Sequence, residues 1–442
     1  MRLFTTRRPA RQIAGLALLA CVPLAACTDI TSLAQNNPGT LSGATLYVPS
    51  NSQLIVNGLI ADFECAYARY VVGSGLFADE LSPAIAAAAN FDYDARRVAT
   101  NAPYGTNNCA ATPSAVQQPG IYTPLSTARA TADTAARYLE SFSDAEVPTR
   151  VKFLGQSYTY AGYSLVLLGE GMCTAAINLG PELNPAQLYA EAKSRFDKGI
   201  ASATTANDAV TLNLARIGRA RALLNLGGAV NLAAAAADAA LIPVTFVAST
   251  SPDAINARRQ NALFIAISQS SFSTVDTAYR SVLVPGGTTQ DPRVVVTDLG
   301  RNGTATGSRI FLPGKAATNA TAMRIASYAE AQLIIAENAA STGDLAAAAT
   351  AINNARARTT NVPVYALPAG ATATDVKNQI IEERRREFFA EGHRLGDMRR
   401  FGLTFLPAAG TAYQFGGTYG TQTCFPLPDV ERINNPTIAK AG

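Results

Sequence analysis

Apolar positions recur at helical spacing over much of the chain. Leu188, Ala192, Phe196 and Ile200 advance in steps of four behind Asn184-Pro185-Ala186-Gln187. That opening supplies an N-cap, a proline in the first helical turn and a glutamine able to close a capping box. Residues 151–168 read as a helix dotted with Tyr158, Tyr160, Gly162 and Tyr163. Residues 209–226 and 231–241 form an alanine-rich helical pair split by Gly227-Gly228. Residues 322–340 predict a helix ending before Gly343, and Asp344 caps a second one over 345–358. Helix, tight glycine turn, helix is the unit of stacked hairpins, although the strict tetratricopeptide period is not visible. The pattern predicts a mainly α fold, with one domain over residues 51–442.

Three stretches break the periodicity: 88–122, 249–313 and 401–423, all rich in Gly, Pro, Asn, Thr and Tyr. Each is long for a plain connector in a compact domain, which marks them as functional loops.

Residues 382–402 concentrate charge in a chain that is only 15% charged, and they hold its single histidine, His393. Read as one helix, they place Glu383, Glu387, Glu391 and Arg394 on one face, with Ile381, Phe388 and Leu395 as a neighbouring apolar stripe. A helix of this kind is expected to be a core element carrying a buried ion network.

Composition narrows the partners. The chain has a formal charge of +4, and the four arginines Arg2, Arg7, Arg8 and Arg11 account for all of it. They precede a short apolar run, residues 13–24, and Leu24-Ala25-Ala26-Cys27. This is the arrangement of a lipoprotein signal peptide, residues 1–26, with Cys27 as the lipidated residue and 27–50 as a flexible tether. Without the signal the protein is charge-balanced, which argues against a nucleic-acid partner. Four further cysteines, Cys65, Cys109, Cys173 and Cys424, predict two disulfides whose pairing the spacing leaves open. Their separation and the lone histidine argue against zinc.

Catalytic chemistry finds little support. A Ser-His-Asp or Cys-His system would need His393, which sits among arginines with no nucleophile elbow in the chain. Glu383, Glu387 and Glu391 could in principle serve a glycosidase, but crowding cations favour ion pairing over general-acid work. Asn90, Asp92 and Asp94 alternate like the start of a calcium loop, without its glycine and distant glutamate, and read as an acidic turn. Residues 298–303 read as a glycine turn, not a phosphate loop. No catalytic residue, cofactor or metal is expected.

A resemblance adds to this reading. Ile381, Glu383-Arg384, Glu387, Glu391-Gly392, Arg394, Asp397, Arg400 and Gly402 resemble the C-terminal motif of the SusD/RagB-like family of outer-membrane nutrient-binding lipoproteins. Arg324, Tyr328-Ala329-Glu330, Leu333-Ile334, Ala336-Glu337, Ile352-Asn353, Arg356 and Arg358 are similar to the hairpin that precedes it. Residues 425–436, from Phe425-Pro426-Leu427-Pro428 to Asn434-Asn435-Pro436, look like the family's closing segment. The resemblance implies tetratricopeptide-like helical pairs as scaffold and a loop-rich, irregular lobe as ligand site. It also implies a lipid-anchored protein on the cell surface that binds a nutrient, an oligosaccharide by analogy, and delivers it to a TonB-dependent, SusC-like outer-membrane transporter. The alternatives are a lipid-anchored helical scaffold for a protein partner and, third, a lipid-anchored hydrolase. Sugar planes stack on aromatic faces. With no tryptophan in the chain, the candidate ligand contacts are Tyr93, Tyr104 and Tyr122 in the first loop region and Tyr413, Phe415 and Tyr419 in the last.

Overall fold

The computed structural model describes residues 43–109, 118–303 and 307–438. The expected signal segment and Cys27 lie outside them. Residues 43–46 form one helical turn, and the described residues from 47 to 438 form one compact unit.

That unit is mainly α-helical. Its principal helices are α1 (Ser52–Phe77), α2 (Tyr122–Ser141), α3 (Arg150–Gly171), α4 (Pro185–Thr205), α5 (Ala209–Leu226), α6 (Ala229–Ala239), α7 (Tyr328–Ser341), α8 (Leu345–Arg356), α9 (Ala373–Glu387) and α10 (Arg394–Phe401). They stack in sequence: α3 lies between α2 and α4, α4 against α5, α5 against α6, α6 against α7, and α7 against both α8 and α9. Local chemistry sets several of the boundaries. The Asn184 side chain accepts from the Gln187 amide, and the Gln187 side-chain oxygen accepts from the Asn184 amide, so the expected capping box closes. Asp344 caps α8 through the Ala347 amide.

Close packing depends on small residues. A Cβ at Gly162 on α3 would lie 2.8 Å from the Phe196 ring, and one at Gly218 on α5 would lie 2.3 Å from it. Phe196 of α4 therefore fills a hole that two glycines leave, and the Tyr163 hydroxyl reaches across to the Leu214 carbonyl at 2.9 Å. No described helix is long and apolar enough to cross a membrane.

Helix α1 is the hub. From Phe63 to Phe77 every residue is buried, and it packs on α2 and α3. A helix enclosed on all sides has no polar face, so it leaves no amphipathic period. Two disulfides tie loops to the helical stack, Cys65–Cys109 on α1 and Cys173–Cys424 just past α3. The second brings the closing segment onto the end of α3, where Phe425 exchanges backbone bonds with Gly171 (2.9 Å) and Cys173 (2.8 Å).

Some elements differ from the sequence expectation. Residues 324–327, read as helix, form a strand paired antiparallel with Val247–Ser249; the helix begins at Tyr328, capped by Ser327. Residues 298–303, read as a glycine turn, lie mostly in the strand Val296–Asn302, whose register against Arg309–Pro313 shifts at a bulge around Gly300. Asn90, Asp92 and Asp94 lie on the short helix Ala88–Asp94 rather than in a turn. The irregular regions thus carry short helices and two-stranded sheets, and together they form the loop-rich lobe.

Candidate functional site

The charged stretch is two helices, not one. α9 ends at Glu387, and Ala390 (φ +60) and Gly392 (φ +71) adopt left-handed backbone before α10 starts at Arg394. A Cβ at Gly392 would also lie 3.2 Å from Tyr70 and Val71. The break ends the continuous face: Glu383 and Glu387 share α9, whereas Glu391 lies in the turn. Ile380 is fully buried and Ile381 is not, so the expected seven-residue stripe begins one position early.

Every acidic group of this stretch meets a cation. Glu383 binds Arg293 and Arg356. Arg324 spans Glu387 at 2.8 Å and Glu391 at 2.9 Å, and Lys315 takes the other Glu391 oxygen at 2.7 Å. Arg384 grips Asp397, and Arg400 bridges Asp397 and Glu337. Arg394, expected to face Glu391, instead binds both oxygens of Asp79. His393 is enclosed; burial and the neighbouring Arg221 guanidinium hold its pKa well below the usual histidine value. Its Nε2 lies 3.1 Å from Arg221 Nη1. A guanidinium can only donate, so Nε2 is the acceptor and the ring is neutral. The ring stacks on Phe388 at 4.3 Å. Through these ion pairs the cluster cements α7, α8, α9 and α10 to the lobe.

The lobe holds an open cleft of about 570 Å³. One wall is the end of α1 and the strand Leu81–Pro83, and a second is Ser273–Val275 with the turn after it. The adjoining strand Arg309–Pro313 and the 401–423 loop complete it. The Thr274 hydroxyl joins the two small sheets, donating to the Arg309 carbonyl (2.8 Å) and accepting from the Phe311 amide (2.9 Å). The loop is fastened by Arg96, whose guanidinium donates to the Leu406 and Pro407 carbonyls, and by Gln422, which pairs with both backbone groups of Val98.

The cleft lining is mixed in character. Asp79, Asp94 and Asp276 supply carboxylates, Arg280 and Arg309 guanidinium groups, Gln414 an amide, and Tyr419 an aromatic face. Most of the charges are engaged. Asp79 is held by Arg394, and Arg309 by Asp298 at 2.8 Å. Asp276 accepts from Ser82 and from the Ala278 amide. Asp94 accepts from the Tyr413 hydroxyl at 2.9 Å. Burial pushes the Asp94 carboxyl up to about 7, with the nearby Asp276 adding to the rise against the Tyr413 hydrogen bond.

The six aromatic candidates separate into two groups. Tyr93, Tyr104 and Tyr122 are core residues, none more than 2% exposed. Tyr93 and Tyr104 pack on Phe425 at 5.3 and 5.4 Å, and their hydroxyls bond the Pro119 and Pro426 carbonyls. Tyr122 accepts from the Ala176 amide. Tyr413 is also buried, bonded to Asp94 and set edge-on to Tyr419 at 5.1 Å. Phe415 is half-buried and stacks on Phe91 at 4.5 Å. Tyr419 alone of the six lines the cleft, with Arg96 5.0 Å above its ring. Of the polar members of the cleft only Asp94 was singled out in the sequence, as part of an acidic turn; Asp79, Asp276, Arg280 and Gln414 stand in turns and loops that carry no period.

Residues 313–435 match the SusD family. Over its length the chain is similar in structure to a SusD superfamily protein from Bacteroides fragilis, with TM-score 0.67 and 16% identity, covering 89% of this chain and 99% of that one. It is similar to a SusD-like carbohydrate binding protein from Bacteroides vulgatus, with TM-score 0.62 and 13% identity over 89% and 98% of the two chains. Surface glycan-binding protein A from Bacteroides fluxus aligns with TM-score 0.61 and 15% identity over 86% and 95%. Among curated protein sequences nothing matches.

Proposed function

The chain is SusD/RagB-like, in sequence over residues 313–435 and in fold over most of its length, and from that premise we propose that it is a cell-surface binding protein for a glycan nutrient. The helical stack is the scaffold, and the cleft beside Tyr419 is the capture site. Delivery follows, to a TonB-dependent, SusC-like outer-membrane transporter, with the protein held at the membrane by acyl chains on Cys27. The reading needs no covalent step: the protein binds, orients and releases.

The observation that carries it is the cleft itself. An open site of about 570 Å³ that combines amide, hydroxyl and carboxylate groups with one aromatic face suits a sugar, which presents hydroxyl edges and C–H planes. Two structurally similar proteins named for carbohydrate or glycan binding add support.

The test is a glycan array with purified protein carrying Cys27→Ser, followed by calorimetry on any hit. Binding that Tyr419→Ala abolishes, with the thermal midpoint unchanged, is the expected result. Silence across plant, host and microbial glycans would overturn the proposal in favour of a scaffold for a protein partner.

A further inference from the structure

Among the described residues, the cleft contains one guanidinium without an ion-pair partner. Arg280 follows the turn after strand Ser273–Val275 and lines the cleft. Its Nε donates to the Val275 carbonyl at 2.8 Å, and its guanidinium lies 4.4 Å from the centre of the Phe311 ring. Those two contacts fix the plane of the group. Among the described residues, neither terminal nitrogen has a hydrogen-bond or ion-pair partner. Asp79, Asp94 and Asp276 each already hold a partner, and Arg309 is paired through its Nε with Asp298.

A guanidinium pinned through Nε and by stacking has its orientation settled before a ligand arrives. Two parallel N–H groups remain, the geometry that a planar carboxylate accepts bidentately. Part of the desolvation is also already met. Burial lowers the Arg280 pKa, while Asp276 and Asp298 act in the opposite direction, yet the group stays charged at any ordinary pH. Asp276 and Asp298 lie near enough to interact but do not pair with it, so its terminal N–H groups stay open to a ligand carboxylate. A neutral sugar offers these nitrogens only uncharged hydroxyl oxygens, without the charge or the planar fork of a carboxylate.

We propose that the cleft selects glycans carrying a carboxylate, that is uronic-acid sugars, and that Arg280 is the specificity-determining residue. The inference rests on the reading of this cleft as the glycan site.

The experiment is calorimetric titration of the purified protein with galacturonate, glucuronate, mannuronate and guluronate oligosaccharides. Each is paired with its carboxyl-reduced, neutral counterpart and with a sulfated neutral chain of equal length. At least one uronate is expected to bind about tenfold or more tightly than its reduced counterpart, as loss of a charge-assisted hydrogen-bond pair implies. The preference should shrink as salt rises. Arg280→Gln should erase it, weakening the uronate by far more than the reduced chain, and an unchanged thermal midpoint reports that the variant is folded. Arg280→Lys should keep part of it, since the charge remains but the fork is lost. Equal binding of acid and reduced chains by the wild type, a preference for the sulfated chain, or discrimination that survives Arg280→Gln would each overturn the carboxylate assignment and leave the glycan reading standing. Silence of every uronate and neutral chain would overturn both.

Discussion

Arg394 holds Asp79 with two parallel bonds, Nε to one carboxylate oxygen at 2.7 Å and Nη2 to the other at 2.6 Å. The pair joins the first turn of α10 to Asp79, two residues past the end of α1 and 315 positions earlier in the chain. Asp79 also lines the cleft. One ion pair therefore links the cemented C-terminal helices to the wall of the candidate site.

That link yields the first prediction. Both side chains are mostly buried, so Asp79→Ala leaves a guanidinium without its partner, and the cost expected for such a break is about 2 kcal/mol. A double-mutant cycle with Arg394→Ala, followed by urea denaturation, should return a coupling of about 1–3 kcal/mol. Strict additivity would mean that the pair contributes nothing to stability.

Glu391→Ala acts on different partners. Sequence periodicity pointed to Arg394 as the residue left stranded, but the left-handed turn at Ala390 and Gly392 swings Glu391 towards Lys315 and Arg324. The substitution should destabilise the protein by about 2–3 kcal/mol. Adding Arg324→Ala should cost much less than it does in the wild type, whereas adding Arg394→Ala should cost its full amount. A cycle in which Arg394 couples and Arg324 does not would refute this geometry.

Much of the scaffold was legible because amphipathic helices with caps write themselves into the sequence; α4, with its closed capping box, is the clearest case. Helix α1 was nearly silent because its second half is buried on every side. The break after α9 was missed because the charges keep a helical period straight through it; the glycine at 392 was the available signal. The cleft was least legible. Asp94, Asp276 and Arg280 come together through small antiparallel sheets whose pairing, such as Leu81 with Val275, joins segments far apart in sequence. Tyr93, Tyr104 and Tyr122 show the converse: a Gly- and Pro-rich segment can pack its aromatics inward when a disulfide-tied closing strand supplies Phe425 as their partner.

Stability should fall as pH rises from about 5 to 8. Burial raises the Glu80 carboxyl from its ordinary 4.5 to about 8, with Asp79 adding to the rise, while the Ala390 amide, Arg394 and Lys315 oppose it. Burial likewise raises Glu330 to about 7, against Arg221, Arg384 and Arg324. Between the unfolded and folded values the native state carries protons that the unfolded chain has lost, so each added pH unit favours unfolding. Their contribution is complete below about 4.5 and lost through about 8. Glu80→Gln keeps an oxygen for the Ala390 amide and should flatten the fall in thermal midpoint over this window. A wild-type midpoint that stays level from pH 5 to 8 would contradict the assignment.

The last prediction concerns packing alone. Replacing Gly218 with alanine should help α5 by about 1 kcal/mol in helix propensity. The new methyl, however, would lie 2.3 Å from the Phe196 ring and 3.0 Å from Tyr163. Neither ring can withdraw to solvent, since both are at most 1% exposed. Overpacking in such a place costs about 1–3 kcal/mol or more, so the clash outweighs the propensity gain. Gly218→Ala should therefore lower the denaturation midpoint. Phe196→Leu should also be destabilising by itself, because it leaves the two-glycine hole partly empty. Combined, the two changes should partly cancel, since the smaller side chain makes room for the methyl. A stabilised Gly218→Ala variant, or a double variant as unstable as the sum of its parts, would show that α4 and α5 do not meet through Phe196.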